Sequence, residues 1–173
     1  EDMAIEIDVA LNDSDLDEGD SLDLSSLEVV TAPENGKASV QNKRILYTPN
    51  ADFNGSDTFT YRVADGSGAM SNQASVIVTV GEVNDAPIAS NDAAELDEDS
   101  SIELSILDND LDVDSDLTID NVTITQAPAN GKVSINSTSG TISYKPSADF
   151  FGSDSFTYSV KDDQSLISNI AVV

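Results

Sequence analysis

Apolar residues recur at every second position in several short runs of this chain. Ile5-Ile7-Val9, Ile102-Leu104-Ile106, Phe59-Tyr61-Val63, Phe156-Tyr158-Val160 and Val76-Val78-Val80 all alternate with polar neighbours. A period of two with one apolar face predicts half-buried strands. The runs are rich in Val, Ile, Thr, Tyr and Phe, which suit a pleated surface. Lys37 to Val40 and Ile45 to Thr48 predict a hairpin over a four-residue turn, and Asn-Gly and Asp-Gly pairs separate the runs. No stretch combines helical periodicity with helix-forming composition. About seven short strands in fewer than 100 residues predict an antiparallel β-sandwich.

The pattern occurs twice. Glu1-Asp2, Asn12-Asp13, Asp15 and Asp17 match Glu98-Asp99, Asn109-Asp110, Asp112 and Asp114, all 97 positions apart. Pro33 and Asn35-Gly36-Lys37 match Pro128 and Asn130-Gly131-Lys132 at a spacing of 95. From Tyr47 to Asn72 the spacing returns to 97, pairing Asp52-Phe53, Asp57, Phe59, Tyr61 and Asp65 with Asp149-Phe150, Asp154, Phe156, Tyr158 and Asp162. The register changes fall around Glu18-Gly19 and between Asn136 and Gly140, in polar segments where loops tolerate insertion. The expected organisation is an all-β chain of two tandem sandwiches: residues 1–82, a linker at 83–87, and residues 88–173. Val173 aligns with Val76, so the last strand of the second copy reads as truncated; with Glu1 in place of a starting Met, the chain reads as a fragment.

Charge changes the picture. Of 173 residues, 33 are acidic and 7 basic, a net charge of -26. This excludes a basic nucleic-acid footprint and disfavours anionic membrane surfaces. No run approaches the roughly 18 apolar residues of a membrane span. The acids are concentrated: residues 1–28 hold eleven and residues 82–120 hold fourteen, with no base in either segment. Asp110, Asp112, Asp114 and Asp116, beside Asn109, would place several carboxylates on one face of an extended segment. Such like charges repel unless a cation lies among them. Calcium, which takes six to eight oxygens, fits best, and the absence of His and Cys argues against zinc, copper and iron–sulfur sites. The EF-hand pattern fails: counted from Asp110, the sixth position is Ser115 and the twelfth Asn121; counted from Asp13 they are Glu18 and Leu24. Without His or Cys the usual nucleophile-and-base pairs cannot be built, and the carboxylates sit in repeated loops rather than one cleft, so no enzyme is expected.

Val83-Asn84-Asp85-Ala86-Pro87, Glu98-Asp99, Asn109-Asp110-Leu111-Asp112-Val113-Asp114, Tyr144-Lys145-Pro146 and Phe151-Gly152-Ser153-Asp154-Ser155-Phe156-Thr157-Tyr158 together resemble the cadherin-like and bacterial immunoglobulin-like tandem repeats of large bacterial surface proteins and adhesins. The resemblance implies seven-strand Greek-key sandwiches arranged head to tail, with calcium at the joint. Its ligand set, carried over by position, is Glu1 and Asp57 from the first domain, Asn84 and Asp85 from the linker, and Asp110, Asp112 and Asp162 from the second. Asp114 lies outside the cadherin pattern and suggests a site within one loop. Asp13, Asp15, Asp17 and Asp65 would form a half-site that binds weakly or not at all. The function implied is a calcium-rigidified extracellular spacer or adhesion module of a bacterial surface or secreted protein. The alternatives are calcium-dependent polysaccharide binding and homophilic pairing with another copy. The tyrosines read as core or corner residues, and Gly55 and Gly152 as turn residues.

Overall fold

The computed structural model describes residues 1–17 and 20–173; the insertion expected around Glu18-Gly19 lies outside the described residues. The chain divides into two compact units, residues 1–83 and 84–173. Asn84 to Pro87, expected in a linker, therefore belong to the second unit.

Each unit holds six strands among its described residues, one fewer than expected. The first contains β1 (Ile5–Ile7), β2 (Leu22–Thr31), β3 (Gly36–Gln41), β4 (Arg44–Pro49), β5 (Gly55–Asp65) and β6 (Ala74–Val80). The second contains β7 (Ile102–Leu104), β8 (Val122–Gln126), β9 (Gly131–Asn136), β10 (Thr141–Pro146), β11 (Thr157–Val160) and β12 (Ala171–Val172), with a single 3-10 turn at Ile119–Asn121. The sheets are β1-β4-β3 and β2-β5-β6 in the first unit, and β7-β10-β9 and β12-β11-β8 in the second, all antiparallel. The topology is therefore the same in both. One further segment of the second unit reaches only an isolated bridge, Ile88 with Leu111. No helix among the described residues is long and apolar enough to cross a membrane.

Alternation sends the same side chains inward in both copies. Val9, Ile45, Tyr47, Phe59, Tyr61 and Val63 form the first core with Leu27; their counterparts Ile106, Ile142, Tyr144, Phe156, Tyr158 and Val160 form the second with Ile119, Val122 and Ala171. Full burial of each large apolar side chain contributes about 1.5–3 kcal/mol. Tyr47 stacks on Phe59 and Tyr144 on Phe156, each pair with ring centroids 6.4 Å apart.

The β3–β4 turn corrects the sequence expectation. Gln41 pairs with Arg44, leaving a two-residue turn whose Asn42 and Lys43 have φ of 51° and 64°. Two successive positive φ values match the twist of the flanking strands. In the second unit Asn136 pairs with Thr141 instead, so the longer turn expected there is present. Gly55 and Gly152 adopt φ of 119° and 121°, a region closed to other residues.

Gly131 is needed for a different reason. A Cβ on it would lie 2.5 Å from the Tyr144 ring and 2.8 Å from the Lys145 carbonyl oxygen. Gly131→Ala is expected to destabilise the second unit by about 1–3 kcal/mol through overpacking. Gly81→Ala, where a Cβ meets nothing within 4 Å, serves as a near-neutral control in the same denaturant titration.

Candidate metal centre

One of the expected ligands is wholly occupied by the fold, and a second in part. Asp57 is 4% exposed. Its Oδ1 accepts from the backbone N–H groups of Glu34 (3.1 Å) and Thr58 (2.9 Å), and its Oδ2 from the N–H of Asn35 (3.0 Å) and the Tyr47 hydroxyl (2.9 Å). A carboxylate offers about four acceptor sites, and here all four are taken. Asp57 thus pins the β2–β3 loop to β5 rather than offering oxygens to a metal. Asp154 does the same in the second unit, accepting from Ala129, Asn130, Ser155 and the Tyr144 hydroxyl.

Asp110 is engaged by the fold in part, through one N–H and one shared hydroxyl proton. It is 8% exposed, both its oxygens lie within 3.1 Å of the Tyr158 hydroxyl, and its Oδ1 accepts from Ser90 N–H at 2.7 Å. The single Tyr158 proton is shared with the Ile106 and Ser90 carbonyls, each 3.1 Å away. Tyr61 repeats this lock with the Val9 carbonyl (2.7 Å) and Asp13 (2.9 Å). All four tyrosines are buried core or corner residues, as the sequence implied.

Burial, reinforced by hydrogen bonds to Asp57 and Asp13 respectively, pushes Tyr47 and Tyr61 up to about 12; burial followed by the charge of Asp110 raises Tyr158 as well. A phenol whose folded pKa exceeds its unfolded value near 10 contributes stability below about pH 10. That stability is lost as pH rises through about 12. Urea midpoints measured between these limits should fall steeply, and Tyr47→Phe should flatten the loss.

The remaining expected ligands of the second unit fall into two hydrogen-bonded groups that meet at the Asn84–Asp85 peptide. Asn84 Nδ2 donates to Asp162 Oδ2 at 2.6 Å. The Asp85 N–H donates to Asp114 Oδ2 at 2.7 Å. Asp112 Oδ1 accepts from the N–H groups of Asp114 and Ser115, both at 2.9 Å. Three oxygens beside these bonds, Asn84 Oδ1, Asp112 Oδ2 and Ser115 Oγ, are buried with no hydrogen-bond partner. Oxygens stripped of water and left without donors are costly, and a hard cation would satisfy them. Asp162 is 3% exposed. Burial opposes its ionisation most, but hydrogen bonds from Asn84 and from the N–H groups of Leu166, Gln164 and Ser165 outweigh it and hold the carboxyl below the usual range.

The first unit carries counterparts of several of these residues. One carboxylate oxygen from each of Asp15, Asp20 and Asp65 lies within 4.8 Å of the other two. Asp15 and Asp65 are the counterparts of Asp112 and Asp162, and Asp20, at a spacing of 95, is the counterpart of Ser115. Neither Asp20 nor Ser115 was singled out by sequence. Carrying the 95-residue register back to residue 20 would have found both. A hydrogen bond from the Ser67 hydroxyl, then one from the Ala69 N–H, holds Asp65 below the usual carboxylate range. Asp13 serves the Tyr61 lock, and Asp17 contributes its carbonyl to the Asp20 N–H. Glu1 sits on the first unit, where its Oε1 accepts from the Val83 N–H at 3.0 Å and its amino terminus donates to the Gly81 carbonyl.

Residues 1–79 and 84–173 each match the bacterial Ig domain family. No curated protein matches the chain. Among solved structures, an endo-fucoidan hydrolase of glycoside hydrolase family 107 is 17% identical with a TM-score of 0.32, and a point variant of it is 20% identical with a TM-score of 0.33. Each likeness covers 90% of this chain and 23% of the enzyme, so the chain spans under a quarter of those proteins, and hydrolysis of fucoidan is said of them alone.

Proposed function

The chain belongs to the bacterial Ig domain family, and on that premise we propose that it is a non-enzymatic spacer and adhesion module of a surface or secreted protein, whose second unit binds calcium. Asn84, Asp112, Asp114, Ser115 and Asp162 supply the oxygens. The observation that carries this reading is the trio of buried, partnerless oxygens on Asn84, Asp112 and Ser115 within a carboxylate network. The donor set is all oxygen and mostly anionic, which suits calcium rather than a transition metal. Water completes the roughly six to eight positions calcium requires. Asp57 is not part of this set, because its lone pairs already hold the fold together, and Asp110 is set apart by its bonds to Ser90 and Tyr158.

Family membership supports the extracellular setting, where calcium is abundant enough for sites of about 0.1–1 mM affinity. The bound ion would fix Asn84 against Asp162, and the Asp85–Asp114 contact against the Asp112 turn. The start of the unit would thereby become rigid, which is the property a spacer needs.

Isothermal titration of the 173-residue chain with calcium tests this reading. Binding is expected, with Asp112→Asn and Asp162→Asn each weakening it about tenfold or more, a loss of roughly 1.4 kcal/mol per decade. Asp116→Asn, an exposed neighbour outside the network, should leave it unchanged. Absence of calcium binding, or binding indifferent to Asp112→Asn, would refute the assignment.

A further inference from the structure

Three Asn-Gly pairs punctuate the chain: Asn35-Gly36, Asn54-Gly55 and Asn130-Gly131. In this dipeptide the main-chain nitrogen reaches the asparagine side chain readily, because glycine has no Cβ to hinder the approach. The Gly nitrogen attacks the Asn Cγ; a C–N bond forms and the Cγ–Nδ2 bond breaks. The proton of the attacking nitrogen passes through solvent to the departing amide, which leaves as ammonia. Water then opens the resulting imide ring at either carbonyl. Opening at Cγ gives aspartate. Opening at the main-chain carbonyl gives isoaspartate, whose backbone is longer by a methylene.

The fold treats the three pairs differently. Asn35 is held on both sides: its N–H donates to Asp57 Oδ2 at 3.0 Å, and its carbonyl accepts from the Asn50 N–H at 2.8 Å. Gly36 opens β3 opposite Pro49, with the space for a Cβ already filled by the Thr48 carbonyl oxygen at 2.7 Å. Asn130 is held in the same way, donating to Asp154 Oδ2 at 2.9 Å and accepting from the Ser147 N–H at 2.7 Å, with Gly131 opposite Pro146. Asn54 stands just ahead of β5, exposed, and its side chain makes no hydrogen bond among the described residues. Gly55 is the end pair of the β5–β6 ladder, and a Cβ on it would come no nearer than 3.8 Å to the Phe53 ring. The position is open in both copies. Asn54 is exposed with β6 alongside β5, and its counterpart Phe151 is 84% exposed in a unit whose residues 88–101 precede the first strand. Phe151 also shows that the fold does not require asparagine there.

We propose that Asn54 is a site of spontaneous covalent modification, converting to isoaspartate and aspartate in the folded chain while Asn35 and Asn130 are protected. A clamped pair reacts only through local opening, so its rate falls with the population of the opened state. Asp57 and Asp154 thereby shield Asn35 and Asn130 through the same bonds that pin the loops. The consequence of the reaction falls on the first unit. Isoaspartate lengthens the chain between the turn closed by the Phe53 N–H and the Asn50 carbonyl and the buried anchor Asp57. The added methylene displaces Gly55 from its place opposite Val80, where a φ of 119° is fitted to the existing chain length. The new carboxylate adds a further negative charge to a chain already at -26. The second unit, with Phe151 at this position, has no such reaction.

The test incubates the 173-residue chain at mildly alkaline pH and follows each Asn-Gly pair by peptide mapping and mass spectrometry. Enzymatic methylation of isoaspartate separates it from aspartate. Asn54 is expected to convert about tenfold or more faster than Asn35 or Asn130. In the urea-unfolded chain the three rates should come together, because the clamps are gone and the dipeptide is the same. Asn54→Gln, an exposed substitution, should remove the fast reaction, since the longer side chain must close a larger ring. The aged wild type should show a lower urea midpoint and faster hydrogen exchange in the first unit alone, while aged Asn54→Gln keeps the values of the fresh protein. The proposal is overturned if Asn35 or Asn130 converts as fast as Asn54 in the folded chain, or if urea accelerates Asn54 as much as it accelerates the other two. Its structural consequence is overturned if the converted chain and the fresh one exchange identically in the first unit.

Discussion

Asp57→Ala is expected to destabilise the first unit by about 3–5 kcal/mol, a large share of the stability of a domain this size. The substitution removes an acceptor from four donors at once: the N–H groups of Glu34, Asn35 and Thr58 and the hydroxyl of Tyr47. Losing a partner costs more than the net value of the bond, because the donor stays buried and dry. Water cannot readily substitute, since the Asp57 side chain is almost wholly enclosed. Asp154→Ala removes the same four bonds in the second unit, but Asp154 is only half-buried, so water can reach the vacated donors and a smaller loss of about 1–3 kcal/mol is expected. Hydrogen exchange read by mass spectrometry under denaturant assigns each loss to its own unit. Equal effects at the two positions, or an Asp57→Ala loss below about 1 kcal/mol, would contradict this account. Tyr47→Phe removes one donor of the four, and the cycle with Asp57→Ala separates that bond from the three backbone ones.

The second large effect is that of calcium on the second unit. A ligand that binds only the folded state stabilises it by about 2.7 kcal/mol when its free concentration is a hundred times Kd. For a unit of this size that is roughly 10–20 °C in melting temperature, and chelation should remove it. The sign for the variants is informative. In the wild type without calcium, Asp112, Asp114 and Asp162 are like charges in the two groups that meet at the Asn84–Asp85 peptide. Asp112→Asn relieves part of that repulsion while removing a ligand. The variant should therefore melt at or above the chelated wild type, yet below the calcium-loaded wild type, and respond little to chelator. A chelator effect of the same size in both proteins would locate the stabilisation elsewhere. The first unit, whose Asp15, Asp20 and Asp65 lie within 4.8 Å of one another, provides an internal comparison in the same scan.

Much of the fold follows from short-range information. The alternation of Phe59-Tyr61-Val63 and its copy 97 residues on is enough to predict two β-sandwiches, because a period of two is the geometry of a strand and burial on one face is all that it encodes. The tyrosine corners and the turn glycines follow for the same reason. Turn length did not: the four-residue estimate at Gln41 to Arg44 failed because Asn42 and Lys43 both accept positive φ, which composition alone does not reveal.

The acidic residues mark the boundary between what the chain encodes locally and what its folding decides. That carboxylates crowd at Asp110, Asp112 and Asp114, and again at Asp13, Asp15 and Asp17, is a property of the sequence. Which of them keep free oxygens is not. Asp57 is consumed by donors 1 to 23 residues away and Asp110 is partly engaged by Tyr158, 48 residues on, whereas Asp112 retains a buried, partnerless oxygen next to Ser115. A lone pair is spent or spared only by the groups that packing brings within about 3 Å of it, and no spacing along the chain records those neighbours.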